Sequence, residues 1–277
     1  MQYSNTTGHD QRMVGAAKKG MTRTAVGASC RWAATLLAAV FTTAAVADST
    51  LRTELVQAGL YRISGAGGGT VLRVDAKGLI VVDAPREGAY RALMDEVHRI
   101  AKTSTLPVRA LVVTAIGPEQ TGNVVPFAAA GVPVIVQQRA LPRLVVELRA
   151  RGATAPLGAF VSYHNDYLLR DGDLEAEVEY VGSGRTGADI IVFFRDLRVV
   201  SVGELFTHDL PQPDCASGGS FAGWASAITH LLWFDFDLAV PGRGAPVGKR
   251  ELAEFKAKLD ALAARSSAAS DCRLPPK

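Results

Sequence analysis

Short runs of aliphatic residues, each ended abruptly by Gly, Pro or Asp, set the narrowest limits on what this chain can fold into. "GLIVVDAP" (Gly78–Pro85), "VRALVVT" (Val108–Thr114), "VPVIVQ" (Val132–Gln137), "DIIVFF" (Asp189–Phe194) and "LRVVSVGELF" (Leu197–Phe206) are too short for helices and too apolar for solvent-facing strands. They read as buried β runs. Between and after them lie helical patterns. "REGAYRALMDEVHRIAK" puts Ala89, Leu93, Val97 and Ile100 on one face, with His98 at its boundary. "NVVPFAAAG" is a short helix stopped by Gly131, and "LPRLVVELRARG", "GSFAGWASAITHLLWF" and "KRELAEFKAKLDALAAR" are three more. "LYRIS" and "TVLRVD" flank "GAGGG", which joins strand to strand without a Lys-Ser/Thr or a following helix, so it is a hairpin and not a phosphate loop. Two strand-rich halves, each finishing in helices, predict a two-sheet core covered by helices on both sides.

The first 47 residues are of another composition. Met1–Gly20 is polar and patternless, which makes Met21 a plausible true start. Arg23 and Arg31 then precede the apolar run "AATLLAAVFTTAAVA", and Ala45-Val46-Ala47 is a small-residue exit before Asp48. That is the layout of a secretory signal peptide, cleaved after Ala47, and its apolar run is short for a membrane span. The expected organisation is a leader over 1–47, one domain over 48–265 and a flexible tail over 266–277. Of the chain's 30 basic and 27 acidic residues the leader holds five and one, so the mature part has 25 and 26 and a net charge of about −1. Nothing in that balance calls for a nucleic-acid partner, and no membrane span is expected in the mature form. Cys215 and Cys272 remain after cleavage, as a disulfide tying down the tail or as two free thiols.

Five blocks then occur in order: "GLIVVDAP", "ALVVTAIGPEQTGN", "GSGRTGADIIVFF", "RVVSVGELF" and "DLAVPGRGAPV". Over nearly the whole mature chain this series resembles the metallo-β-lactamase fold superfamily. The resemblance implies an α/β (α+β) four-layer αββα sandwich. In that family the second block carries Thr-His-x-His-x-Asp-His-x-Gly, the third Gly-His-Thr-x-Gly-Asp, and the last Pro-Gly-His-Gly. Thr114, Gly122, Gly184, Thr186, Gly187, Asp189, Gly203, Pro241, Gly242 and Gly244 stand where the pattern expects them.

The metal-ligand positions do not match. Carried over one at a time, the histidines of the second block fall on Ala115, Gly117 and Gln120, and its Asp falls on Glu119. The histidines of the third and last blocks become Arg185 and Arg243, and the bridging Asp becomes Glu204. A hydrolytic zinc site needs lone-pair donors about 2 Å from the ion and an open position for water. Ala115 and Gly117 have no side-chain donor, and guanidinium groups stay protonated. No resident metal or other cofactor is therefore expected, although zinc is what the resemblance implies. Two acids facing two guanidiniums, Glu119 and Glu204 against Arg185 and Arg243, predict an ion-pair network in place of the metal.

The leading expectation is an exported, periplasmic or secreted protein with a degenerate metal site. Its pocket, with Arg185, Arg243, Glu119, Glu204 and His208, would bind a small anionic molecule or a protein partner without catalysis. The first alternative is a hydrolase of lactam, lactone, thioester or ester bonds, using a relocated metal or metal-free acid/base chemistry on Glu119, Gln120 or Glu204. The second is a structural or assembly protein, with the aromatic segment "HLLWFDFDL" as the place to look for a patch, although that segment reads first as a buried helix-to-strand passage. His164 and His230 read as rim and helix residues, and Asp189 as a structural cap rather than a catalyst.

Overall fold

The computed structural model describes residues 51–265 apart from positions 66, 85 and 173. The predicted leader and tail, with Met21, the cleavage point and Cys272, lie outside the described residues.

Alternation along single strands builds the layers. Strand β4 (Gly78–Val82) is buried at every position. Its Leu79 and Val81 join one apolar cluster, while Ile80 and Val82 join another on the opposite face. β10 (Asp189–Phe194) divides the same way, sending Ile190, Val192 and Phe194 to the shared cluster and Ile191 and Phe193 outward. A strand apolar on both faces has to be covered on both, so helices flank each sheet.

The first sheet runs β1 (Arg52–Gln57), β2 (Leu60–Gly65), β3 (Gly68–Asp75), β4, β5 (Val108–Val112), β6 (Val134–Gln137) and β7 (Phe160–Tyr163), in spatial order as in sequence. β1 to β4 form an antiparallel meander, and β4 to β7 are parallel. Their crossovers are α1 (Tyr90–Ala101), the short α2 (Pro118–Thr121) with α3 (Val124–Ala129), and α4 (Leu141–Ala150). Leu93, Val97, Phe127, Leu144 and Leu148 from these helices pack on the outer face of that sheet.

The second sheet has the order β12 (Leu238–Pro241), β11 (Val199–Gly203), β10, β9 (Leu174–Gly182) and β8 (Asp166–Asp171). It is antiparallel except for the β11–β12 pair. Its outer face carries α5 (Phe221–Leu232) and α6 (Lys249–Arg265), whose Trp224, Ile228, Phe255 and Leu259 fill a third cluster. The molecule is thus a four-layer αββα sandwich. Among the described residues no helix is long and apolar enough to cross a membrane.

Two departures from the sequence reading have physical causes. β1 is an edge strand with mostly exposed, mixed-charge residues, and it carries no apolar run to announce it. β7 is four residues long and follows a loop, so its pattern is below the length at which periodicity speaks. The aromatic segment after α5 does not form one patch: Phe236 is buried, Phe234 half-buried, and Trp233 stands exposed beside His230.

Candidate active-site cleft

Five chain turns meet at one edge of the sandwich, where β4, β5, β11 and β12 end and β9 passes into β10. Turns at the carboxyl ends of strands are free of ladder bonds, so their side chains can converge on a shared space.

Glu204 is the centre. It follows Gly203 at the end of β11, and its side chain is 1% exposed. Arg243, in the turn after β12, donates from Nη2 to Glu204 Oε2 at 3.0 Å. Its other terminal nitrogen, Nη1, donates to Glu119 Oε1 at 3.3 Å. Arg185 approaches from the β9–β10 turn, with Nη1 3.9 Å from the same Glu204 Oε2. Gln120 on α2 donates from Nε2 to Glu204 Oε1 at 3.4 Å. Two guanidiniums and an amide thus surround one buried carboxylate, and burial without such partners would be costly.

The frame behind this centre was not legible in sequence. Asp83, directly after β4, is 3% exposed and adopts a left-handed φ of 61°. Its two carboxylate oxygens accept from the Thr114 backbone N–H at 2.8 Å and from Thr114 Oγ1 at 2.6 Å. Burial pushes the Asp83 carboxyl up to about 7; the two Thr114 hydrogen bonds oppose the rise, and the nearby charge of Glu204 adds to it. A non-glycine residue at positive φ stores strain that the surrounding bonds must hold. The only written clue was an Asp closing four buried aliphatic positions. Gly203 has a φ of 50°, and an added Cβ would run into the Thr114 hydroxyl, so this glycine is what lets β11 deliver Glu204 so close to β5.

Asp189 holds the Arg185 turn. Its Oδ2 accepts from the backbone N–H of Thr186 at 2.6 Å and of Gly184 at 3.1 Å. Burial raises this carboxyl to about 6, with the turn's hydrogen bonds and the Arg185 charge acting the other way. Asp189 therefore shapes the turn.

Ala115 is 3% exposed and, like Gly117 in extended backbone (φ −178°), contributes no polar side-chain atom. His208 is not brought to the carboxylates. Its Nε2 lies 3.3 Å from Ala245 O, and its ring packs edge-on against Phe206. With Arg243, Thr207, Asp209 and Pro211 it lines an open cavity of about 380 Å³ beside the ion-paired centre. His164 bonds Asn165 at a loop, and His230 packs on Trp233 and Phe234. The "GAGGG" hairpin leans on the cleft: Cβ atoms added at Gly68 and Gly69 would press on Glu119 O and collide with Gly242 O. Cys215, in the loop between β11 and α5, is disulfide-bonded.

This architecture matches solved structures closely in shape and weakly in sequence. A metallo-β-lactamase from Pontibacter korlensis superposes with a TM-score of 0.64 at 16% identity, covering 76% of this chain and 99% of the other. The chain has the metallo-β-lactamase fold. DIM-1 metallo-β-lactamase gives 0.63 at 17% identity, over 76% of this chain and 97% of its own. VMB-1 gives 0.64 at 14% identity, over 78% and 99%. No family model and no curated protein sequence matches the chain.

The fold implies zinc, and the residues at its strand ends do not fit the ion. Among the described residues, no group of three or more His, Cys, Asp or Glu side chains is placed to hold a metal. The two carboxylates that could donate, Glu119 and Glu204, both bond the Arg243 guanidinium. A divalent ion set between them would also meet the charge of Arg185.

Proposed function

We propose that this metallo-β-lactamase-fold protein is a non-catalytic binder of a small anionic molecule, exported from the cell that makes it. The observation that carries the reading is Arg243, which ties Glu119 to buried Glu204 yet keeps its own side chain 51% exposed. A guanidinium has five N–H donors, and two carboxylate contacts leave others for a carboxylate or phosphate arriving through the cavity shared with His208. The built-in pairing fixes the donor's geometry before the ligand comes, which lowers the ordering cost of binding. Export is supported by the basic, apolar and small-residue order of the leader and by the disulfide at Cys215, a bond that persists in oxidising compartments.

The test is a thermal-shift panel of small carboxylates and phosphomonoesters on the purified protein, run beside metal analysis and a lactam, lactone and ester hydrolysis screen. Stabilisation by an anion, weakened at least about tenfold in apparent affinity by Arg243→Met, is the expected result. Stoichiometric zinc together with turnover that a chelator abolishes would overturn it.

A further inference from the structure

A second cavity, of about 230 Å³, opens beside the Arg185 turn, and its lining contains two arginines, three hydroxyl residues and no acid. We infer that it takes a short aliphatic carboxylate, of roughly three to six carbons, with the carboxylate at Arg139 and the hydrocarbon on the apolar floor. The inference rests on the reading that this cleft receives anions, and it adds the chemical class and the subsite.

The lining divides by what is already satisfied. Arg143 is held by Asp214 at 3.0 Å and Glu147 at 3.3 Å. Ser217 also gives its hydroxyl to Asp214. Arg139 has no carboxylate within ion-pair distance among the described residues, and its guanidinium lies over the Tyr180 ring at 5.8 Å. That ring is anchored in turn, since Tyr180 Oη donates to Gly187 O at 3.2 Å. Thr186, 4% exposed, accepts from the Ala188 N–H and gives its own O–H to the Asp189 carboxylate, so it fixes the wall and is not a free donor. Ser183 supplies a hydroxyl at the same wall. Arg139 and the Ser183 hydroxyl therefore face a cavity in which no lining side chain neutralises the guanidinium.

The floor decides between anions. Ile116, Ala140 and Ala188 are 9%, 5% and 9% exposed, and they present methyl groups into the cavity. Inorganic phosphate has nothing apolar to bury there and would meet hydrocarbon where it needs donors. A carboxylate with a short alkyl body satisfies both ends, and the volume is below the roughly 300–1,000 Å³ usual for drug-sized ligands. By contrast, the wide cleft of about 760 Å³ at Arg73, Arg170 and Arg195 is also lined by Asp75, Glu175 and Asp196. Its charges are balanced, and it offers no net attraction for an anion.

The experiment is isothermal titration of the full chain with acetate, propionate, butyrate and valerate at constant ionic strength, with phosphate as comparator. Affinity is expected to rise about fourfold per added methylene until the floor is covered, with phosphate weaker than butyrate. Arg139→Met should weaken every acid at least about tenfold while keeping the chain-length slope. Ala188→Val, which narrows the floor, should flatten the slope. No dependence on chain length, or phosphate tighter than butyrate, overturns the inference. Binding lost in Arg243→Met and intact in Arg139→Met also overturns it, and leaves the ion-paired centre standing as the anion site. No binding by any anion removes both readings together.

Discussion

Replacing Arg243 by Met measures what the buried Glu204 carboxylate needs. Removing one partner of a buried pair typically costs about 3–5 kcal/mol, because the remaining charge is stranded away from water. Here two features reduce that figure. The Arg243 side chain is 51% exposed, so part of its charge is screened, and Arg185 at 3.9 Å supplies a second, weaker guanidinium. A loss of about 2–3 kcal/mol is expected, or roughly 4–12 °C in Tm for a domain of this size. The second arm of the cycle is Arg243→Met with Glu204→Gln, where the stranded charge is gone and the new amide can still bond Gln120. That double variant should recover to within about 1 kcal/mol of the parent, a coupling of at least about 1 kcal/mol between the two sites. Urea denaturation under non-reducing conditions, with the slope checked for constancy, gives the free energies. A cost under about 0.5 kcal/mol for Arg243→Met, or additive single and double changes, would show that Glu204 finds its compensation elsewhere and would refute the ion-pair reasoning.

Other outcomes follow from the same frame. Asp83 and Asp189, raised to about 7 and about 6, hold protons that the unfolded chain would release near pH 4, so the folded state binds more protons between those limits. Their contribution to stability is full below about pH 4 and is lost as pH rises through about 6–7, so stability measured by urea should fall from pH 5 to pH 8, and Asp83→Asn should flatten that slope. Gly69→Ala should cost about 1–3 kcal/mol by forcing the β2–β3 hairpin off the Gly242 carbonyl, read as a lower Tm and faster hydrogen exchange in the turn that carries Arg243. Cys215→Ser should lower stability by about 2–4 kcal/mol, and reductant should have little further effect on that variant.

The layers were readable because β4 and β10 are apolar at successive positions, which a one-sided strand never is. The turn positions were readable from the motif resemblance, which placed Gly203 and Gly244 where an added Cβ would run into Thr114 and His208. The convergence of Glu119, Arg185, Glu204 and Arg243 was inferred from their places in a motif, and their contacts now have distances; the bond from Gln120 to Glu204 was added by the structure. What the sequence hid was anything depending on burial across elements. Asp83 looks like the ordinary end of a strand, and only its left-handed backbone, its burial, which pushes its carboxyl up, and its bonds to Thr114 from the neighbouring strand reveal it as a strained part of the frame. Arg139 and Arg143 sat unnoticed in a helix start, because nothing local distinguishes a cation paired with Asp214 from one left facing a cavity. His208 follows Glu204 closely in sequence, yet its Nε2 lies against Ala245 O.

A guanidinium on Glu204 also changes how the cleft depends on its surroundings. A metal ion is borrowed from the medium and can be withdrawn by dilution, by a competing chelator or by a proton on its ligands. The guanidinium of Arg243 is part of the covalent chain and is supplied with it. The ion pairs that fill this cleft are therefore supplied by the polypeptide itself and form as it folds.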